Sequence, residues 1–225
     1  MKKKIIVFGS GSYVASKIIS NLKKKYNIIG LSKKKNKFCG IKNLKTDYKL
    51  NSVEKILKKN IIKNDRPVFL FFNSITDDKI FVRSGPSQIK KIIYINQTLP
   101  ILITNIILKN FLNYKPTLIY MSSSRAKKGD LGISIYSSTK NAMASFVKNM
   151  AIEYGKFEIT FRIILLGLFK GGLENKLKKK TKERILQETY SRKYTEINNL
   201  SKVLDFAIND KSGNGSELNC DNGYS

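Results

Sequence analysis

The sequence contains no histidine and no tryptophan, and only two of its 225 residues are cysteine. Without histidine, the chain cannot form a histidine-dependent catalytic triad, a histidine general base or a histidine-rich metal site. The two cysteines, Cys39 and Cys220, are too few for a four-thiolate zinc site. A disulfide between them remains open, but free thiols in a reducing cytosol are favoured, and we expect a cytoplasmic protein without a metal centre.

Long apolar runs are also scarce. The apolar residues 5–8, which follow the N-terminal lysines, are too few for the hydrophobic region of a signal peptide. The best apolar run, over 159–169, contains Arg162 and falls short of the roughly 18 residues of a membrane span. We therefore expect no membrane segment, and we interpret the residues around 5–8 as a buried strand.

Acidic residues are few, with 16 Asp and Glu against 43 Lys and Arg, so the net charge is +27. Most of the cations are scattered lysines, whereas proteins that read nucleic acids rely on arginine for contacts to guanine. A solvated basic surface is therefore the favoured interpretation, and a nucleic-acid partner is not expected. The same positive field would also attract an anionic substrate or an acidic carrier protein.

Apolar strands, polar turns and amphipathic helices alternate along the chain. This alternation predicts an α/β fold, a doubly wound parallel sheet of about seven strands in a single domain over 1–225. The predicted strands are 4–8, 26–31, 41–46, 68–72, 117–121, 159–166 and 217–220, and the main predicted helices are 12–24, 87–112, 134–154, 170–192 and 197–208. Ligands bind such sheets beyond the carboxyl ends of the strands, so the polar residues that end each strand are the candidate site residues.

The first turn has the composition of a phosphate-binding loop. Gly9-Ser10-Gly11-Ser12-Tyr13 follows the first predicted strand and opens the first predicted helix. Glycine allows close approach of a ligand to the backbone, and a helix N-terminus favours a pyrophosphate. An ordinary strand-to-helix turn remains the alternative, but the position in the first βα unit favours dinucleotide binding.

The second predicted strand is followed by Ser32 and Lys33 rather than by an acid. Dinucleotide-binding proteins that use NAD usually hold the ribose 2′-hydroxyl with an Asp or Glu at this point. A hydroxyl and cations suit a 2′-phosphate instead, so we expect NADP, with NAD possible. The alternative is one more surface lysine run.

Tyr136 and Lys140 lie four residues apart and would share one face of a helix. An ammonium beside a phenol lowers its pKa from about 10 and suits it to proton transfer. Tyr13 and Lys17 have the same spacing, so the spacing alone does not identify a site, and a surface pair is the alternative. Ser123 supplies the distinguishing context, because it ends a predicted central strand 13 residues before Tyr136.

In this order along the chain, Ser122-Ser123, Tyr136-Ser-Ser-Thr-Lys140 and the ending Leu218-Asn-Cys-Asp221-Asn-Gly223 resemble the short-chain dehydrogenase/reductase family. The likeness is to its single-domain type, which includes 3-oxoacyl-[acyl-carrier-protein] reductases. Two family glycines of the first loop are replaced, by Tyr13 and Ala15.

The resemblance implies an NAD(P)H-dependent oxidoreductase that reduces a carbonyl or oxidises the alcohol. Tyr136 would be the proton donor, Lys140 would lower its pKa and hold the nicotinamide ribose, Ser123 would bind the substrate carbonyl, and Asn96 would position a relay water. The implied cofactor-binding residues are Gly9, Ser10, Gly11, Ser12, Tyr13, Ser32, Lys33, Asp47, Tyr48, Asn73, Ser74 and Lys140.

The family also implies a substrate-covering lid, which falls on the Lys-rich segment 170–192. A cationic lid suits a phosphorylated or carrier-bound carbonyl substrate, and the long helices imply a homodimer or homotetramer. Two alternatives stay open: a nucleotide-sugar epimerase or dehydratase of the same superfamily, and a non-catalytic protein that senses cofactor or binds nucleic acid.

Overall fold

A computed structural model describes residues 2–34, 40–62 and 65–224. Within these residues, seven parallel strands form one sheet in the order β3-β2-β1-β4-β5-β6-β7, as the sequence predicts. The strands are β1 Lys4–Phe8, β2 Asn27–Ser32, β3 Lys42–Lys45, β4 Val68–Phe71, β5 Thr117–Ser123, β6 Thr160–Leu166 and β7 Glu217–Cys220. Strand β5 is two residues longer than predicted, so Ser123 is its last residue rather than part of a turn.

Helices cover both faces of the sheet, which explains why its central strands are almost wholly apolar. One face is covered by α1 and α8, and the other by α2, α4 and α6. The helices are α1 Tyr13–Leu22, α2 Leu50–Asn60, α3 Pro86–Ile93, α4 Leu99–Phe111, α5 Ser124–Lys128, α6 Ser134–Tyr154, α7 Lys179–Gln187 and α8 Ile197–Asn209.

The order of the strands reverses between β1 and β4, which lie side by side in the sheet. The loops that follow these two strands leave in opposite directions and open a crevice at their carboxyl ends. The two loops approach closely: a Cβ on Gly9 would lie 2.7 Å from the backbone nitrogen of Asn73, and Gly9 has φ +74°. Only glycine fits both conditions, so the packing of the two loops requires glycine at position 9.

The predicted long helix 87–112 is a continuous helical segment, Pro86–Tyr114, with one π-helical turn at Tyr94–Thr98. Pro100 has no N–H, so the carbonyl of Asn96 cannot receive the usual hydrogen bond from four residues ahead. By length and composition, this helix alone among the described residues could cross a membrane, a feature that the sequence interpretation missed. Half of its most apolar window is buried inside the fold.

The prediction of a continuous helix over 170–192 is wrong. Gly171 and Gly172 have φ of +100° and +72°, outside the helical region, and they are followed by a short 3₁₀ turn, Gly172–Lys176, and by α7. Helix α5, directly after Ser123, was not predicted, because its five residues are too few to show a periodic pattern.

Candidate active site

Ser123, Tyr136 and Lys140 line one cavity of about 450 Å³ at the carboxyl ends of the strands. Ser123 ends the central strand β5, and the other two side chains lie one turn apart on α6, which packs beside that strand. The 3₁₀ turn after Gly171 and the helix α7 contribute the opposite wall. The fold therefore brings together the three side chains that the sequence singled out.

Lys140 is buried, and its Nζ donates a hydrogen bond of 2.8 Å to the main-chain oxygen of Met121 on β5. Burial lowers the pKa of Lys140 to about 8, because a charged ammonium is disfavoured away from water. Near pH 7 the side chain still carries its charge. Its Nζ lies 5.6 Å from the centre of the Tyr136 ring, so the cation faces the aromatic surface.

That Lys140 lowers the pKa of Tyr136 stays a prediction, because the net shift of this phenol is set mainly by its burial. Burial raises the pKa of Tyr136, and this effect outweighs the hydroxyls of Ser123 and Ser74, which lower it. Among more distant charges, Arg125 lowers the pKa and Asp78 raises it. The phenol therefore keeps its proton at neutral pH, as a proton donor in carbonyl reduction must.

Asn96 lies in the π-helical turn and is buried, but it does not line the cavity. Its side chain accepts a hydrogen bond from the nitrogen of Ile75 and donates one to the oxygen of the same residue, both at 2.9 Å. It also donates to Thr139 Oγ1 at 3.3 Å, which ties the loop after β4 to α6. With both ends of its amide engaged, Asn96 supports the site, and a relay water would have to use its main-chain carbonyl.

The glycine loop forms the rim of the cavity. Ser12 caps α1 by accepting a hydrogen bond of 3.3 Å from the nitrogen of Ala15, and both Ser12 and Tyr13 line the cavity. Ser10 is buried, and its hydroxyl has no hydrogen-bond partner in the described chain, whereas Gly11 is exposed. A helix N-terminus with small side chains in front of it fits an anionic pyrophosphate.

Tyr13, which replaces a family glycine, packs against Gly171 and Gly172 of the segment predicted to form the lid. A Cβ on Gly171 would lie 2.7 Å from Tyr13 Cζ, and a Cβ on Gly172 would lie 2.9 Å from Tyr13 Cβ. The bulk added in the first loop is thus accommodated by small residues in the lid.

Tyr48 does not line the cavity, and its role in binding the cofactor stays a prediction. Its buried hydroxyl accepts a hydrogen bond from the nitrogen of Gly9 at 2.8 Å and donates one to the oxygen of Leu31 at 2.9 Å. These bonds join the ends of β1 and β2, so Tyr48 supports the glycine loop from behind. Asp47, next to it, is exposed, and its carboxylate accepts a hydrogen bond from the nitrogen of Lys49 at 2.9 Å.

The remaining predicted cofactor residues lie along the same edge of the sheet. Ser32 is buried and donates to the oxygen of Lys34, while Lys33 is exposed. Asn73 and Ser74 follow β4, and their side chains interact with the hydroxyls of Tyr48 and Tyr136. Ser74 also lines the cavity, and polar side chains at this edge of the sheet fit a polar ligand such as a dinucleotide.

Comparison with known proteins decides the family. The sequence model described as short chain dehydrogenase matches residues 44–182, more than half of the chain. The chain belongs to the short-chain dehydrogenase family. It is 25% identical over 151 residues to 3-oxoacyl-[acyl-carrier-protein] reductase FabG of Buchnera aphidicola subsp. Baizongia pistaciae. That match covers 66% of this chain and only 62% of the curated relative's length.

Solved structures of short-chain dehydrogenases share the whole fold. 4-Hydroxyisoleucine dehydrogenase complexed with NADH has a TM-score of 0.85 at 17% identity, with 100% of this chain and 99% of that chain covered. ElxO with NADP bound has a TM-score of 0.86 at 19% identity and the same coverage. A short-chain dehydrogenase of Leptospira borgpetersenii with bound NAD+ has a TM-score of 0.88 at 14% identity, with 100% and 93% covered.

In this short-chain dehydrogenase, sequence reasoning missed one charged network at the site. Arg125 on α5 lines the cavity and forms an ion pair with Asp130, whose other oxygen lies 2.6 Å from Arg184 of α7. The carboxylate of Asp130 thus joins α5, which follows β5, to α7. Arg125 is one of only six arginines and follows Ser123 by two residues, so the sequence did contain a signal.

No cluster of three or more potential metal ligands of the types His, Cys, Asp and Glu occurs within residues 2–34, 40–62 and 65–224.

Proposed function

We propose that this chain is an NAD(P)H-dependent oxidoreductase that reduces a small-molecule carbonyl group or oxidises the corresponding alcohol. The observation that carries the proposal is the convergence of Ser123, Tyr136 and Lys140 in one cavity bordered by the glycine loop. Membership of the short-chain dehydrogenase family supports the same reaction class.

Each side chain has a role that its environment supports. The bound cofactor would supply the hydride from its nicotinamide ring. Tyr136, protonated because burial raises its pKa, would donate a proton to the carbonyl oxygen, and Ser123 would donate a hydrogen bond to the same oxygen. The Lys140 ammonium would stabilise the negative charge that develops on the phenol after transfer.

Cofactor binding is proposed for the loop from Gly9 to Tyr13, with the pyrophosphate at the N-terminus of α1. Ser32, Lys33 and the absence of an acid after β2 favour NADP, and NAD remains possible. The solved relatives hold NADP, NADH or NAD+, so the family fold accommodates both cofactors.

A carrier-bound or phosphorylated substrate is supported by the basic charge and by the likeness to an acyl-carrier-protein reductase. Assembly into a homodimer or homotetramer is supported by exposed apolar side chains on the long helices, among them Ile93, Tyr94 and Ile152. A cytoplasmic location is supported by the free thiol of Cys220; Cys39 lies outside the described residues.

The test is the consumption of NADPH and NADH with a panel of ketones, aldehydes, β-ketoacyl thioesters and sugar nucleotides. We expect turnover with NADPH, and a loss of about a hundredfold or more in kcat in Tyr136→Phe, which removes the proton donor. Lys17→Met, at the exposed pair Tyr13 and Lys17, is the matched control for Lys140→Met. Unchanged rates in both Tyr136→Phe and Lys140→Met would remove these residues from the mechanism.

Assays on the same purified protein distinguish the oxidoreductase from the two alternative functions. Reaction of a sugar nucleotide without net consumption of cofactor would indicate an epimerase or dehydratase. Salt-sensitive binding of DNA or RNA without any turnover would indicate a binding protein, because phosphate contacts weaken steeply with salt.

A further inference from the structure

The cavity contains a guanidinium that the proposed reaction does not use. Its walls are mainly apolar, and Arg125 lines it beside Ser123 and Tyr136. Glu174 is the acid of the opposite wall, and its carboxylate already lies 2.6 Å from Lys182 and accepts a hydrogen bond from the nitrogen of Gly171. Glu174 is therefore not available to neutralise Arg125.

The contacts of Arg125 hold its guanidinium in place but leave its terminal nitrogens at least partly available to a ligand. Its Nε is bound by Asp130, a carboxylate that Arg184 also holds. Its Nη1 lies 3.3 Å from Asp78 Oδ1, at the long end of the hydrogen-bond range, and Nη2 has no hydrogen-bond partner among the described residues. A guanidinium fixed through Nε presents its two terminal nitrogens as a fork, the geometry that binds an oxyanion with two parallel hydrogen bonds.

The position of Arg125 relative to the reacting groups is restricted by the backbone. It follows Ser123 by two residues, on the short helix α5 that continues β5. Its charge is close enough to the phenol of Tyr136 to lower the pKa of that group, while the nearby carboxylate of Asp78 raises it. A carbonyl held between Ser123 and Tyr136 would thus have the Arg125 cation beside it, in a cavity whose lining is mainly apolar but also includes Asp78 and Lys176.

We propose, on the basis of the oxidoreductase function above, that the substrate carries a carboxylate or phosphate near its reactive carbonyl, and that Arg125 binds this oxyanion. Asp130 holds the guanidinium in the binding orientation, and Asp78 occupies the fork only weakly until substrate arrives. The apolar walls contact the rest of the molecule. Arg125 is in this view a substrate-binding residue that selects anionic over neutral carbonyl compounds.

The first test uses the wild-type protein with NADPH. The probes are oxo acids that differ in the separation between ketone and carboxylate, each beside its methyl ester, together with dihydroxyacetone phosphate beside dihydroxyacetone. We expect at least one anionic probe to exceed its neutral partner about tenfold or more in kcat/KM, the size expected for one charge-assisted hydrogen bond. Whether the acid or the phosphate is preferred identifies the oxyanion.

The second test compares Arg125→Gln with Arg83→Gln. Both variants remove one positive charge from the same chain, but Arg83 is exposed and does not line the cavity. We expect Arg125→Gln to raise KM for the anionic probe about tenfold more than KM for its neutral partner, and Arg83→Gln to leave the ratio unchanged. Arg125→Lys, which keeps the charge but loses the fork, should lie between them.

Circular dichroism and NADPH titration establish whether each variant folds. If Arg125→Gln does not fold, Arg125→Lys takes its place in the comparison with Arg83→Gln. Equal kcat/KM for every anionic probe and its neutral partner would overturn the inference while leaving the reductase intact. No turnover with any probe, neutral or anionic, would instead overturn the proposed function on which the inference rests.

Discussion

Replacing Lys140 by methionine should make the protein more stable while it destroys activity. Burial lowers the pKa of Lys140 from an ordinary value of 10.5 to about 8. Because one pKa unit corresponds to about 1.4 kcal/mol, keeping this charge in the folded protein near pH 7 costs about 3 kcal/mol. Methionine keeps an apolar stem of similar length but leaves the oxygen of Met121 without its donor, which costs about 1 kcal/mol. The expected gain in the free energy of unfolding is therefore about 2 kcal/mol.

The gain should disappear as the pH rises. Between the folded pKa of about 8 and the unfolded value of 10.5, the unfolded wild-type chain binds more protons than the folded one. The free energy of unfolding of the wild type therefore increases with pH in this window, and the methionine variant lacks this contribution. From pH 7 to pH 10 the difference between the two proteins should shrink by about 2 to 3 kcal/mol, so that the wild type matches or exceeds the variant.

Urea unfolding followed by circular dichroism at both pH values measures the effect. Other groups titrate equally in both proteins and cancel in the difference. Lys17→Met serves as the control, because Lys17 is exposed and should show no pH-dependent gain. A Lys140→Met variant that is less stable than the wild type near pH 7, by an amount that does not change with pH, would refute the argument from burial.

Three further outcomes are expected. Gly9→Ala should lower the free energy of unfolding by about 2 kcal/mol or more, since φ is +74° and the new Cβ would lie 2.7 Å from Asn73 N. In the same urea titration, the control Gly85→Ala should have little effect, because there is open space around Gly85. Gly171→Ala should weaken NADPH binding because its Cβ would meet the Tyr13 ring. Tyr13→Ala in the same chain should restore part of the lost affinity, and additive effects of the two substitutions in a double-mutant cycle would contradict this contact. The kcat/KM for carbonyl reduction should fall as pH rises through about 8, because Lys140 loses its proton there while Tyr136 keeps its own; a flat profile up to pH 10 would count against both assignments.

Much of the architecture follows from local patterns in the chain. The helix predicted over 134–154 is observed as Ser134–Tyr154, and the last predicted strand is observed as Glu217–Cys220. The alternation of apolar strands with amphipathic helices leaves few topologies other than a doubly wound sheet, because parallel strands need crossover helices on both faces. The helix prediction from local periodicity was wrong over 170–192. The lysine-rich sequence there resembles a helix, but Gly171 and Gly172 adopt φ values outside the helical region.

The sequence alone determined the fold and the family, and it predicted Ser123, Tyr136 and Lys140 as the main site residues from a strand end together with the spacing along one helix. Only the tertiary structure decided the electrostatics, because burial depends on what other elements place around a group. Burial raises the pKa of Tyr136, the hydroxyl of Tyr48 joins the ends of two strands, and the fold places the guanidinium of Arg125 in the same cavity as the phenol. The burial of Tyr136 and the contacts of Tyr48 cannot be read from spacing, because the groups that surround each side chain come from distant parts of the chain.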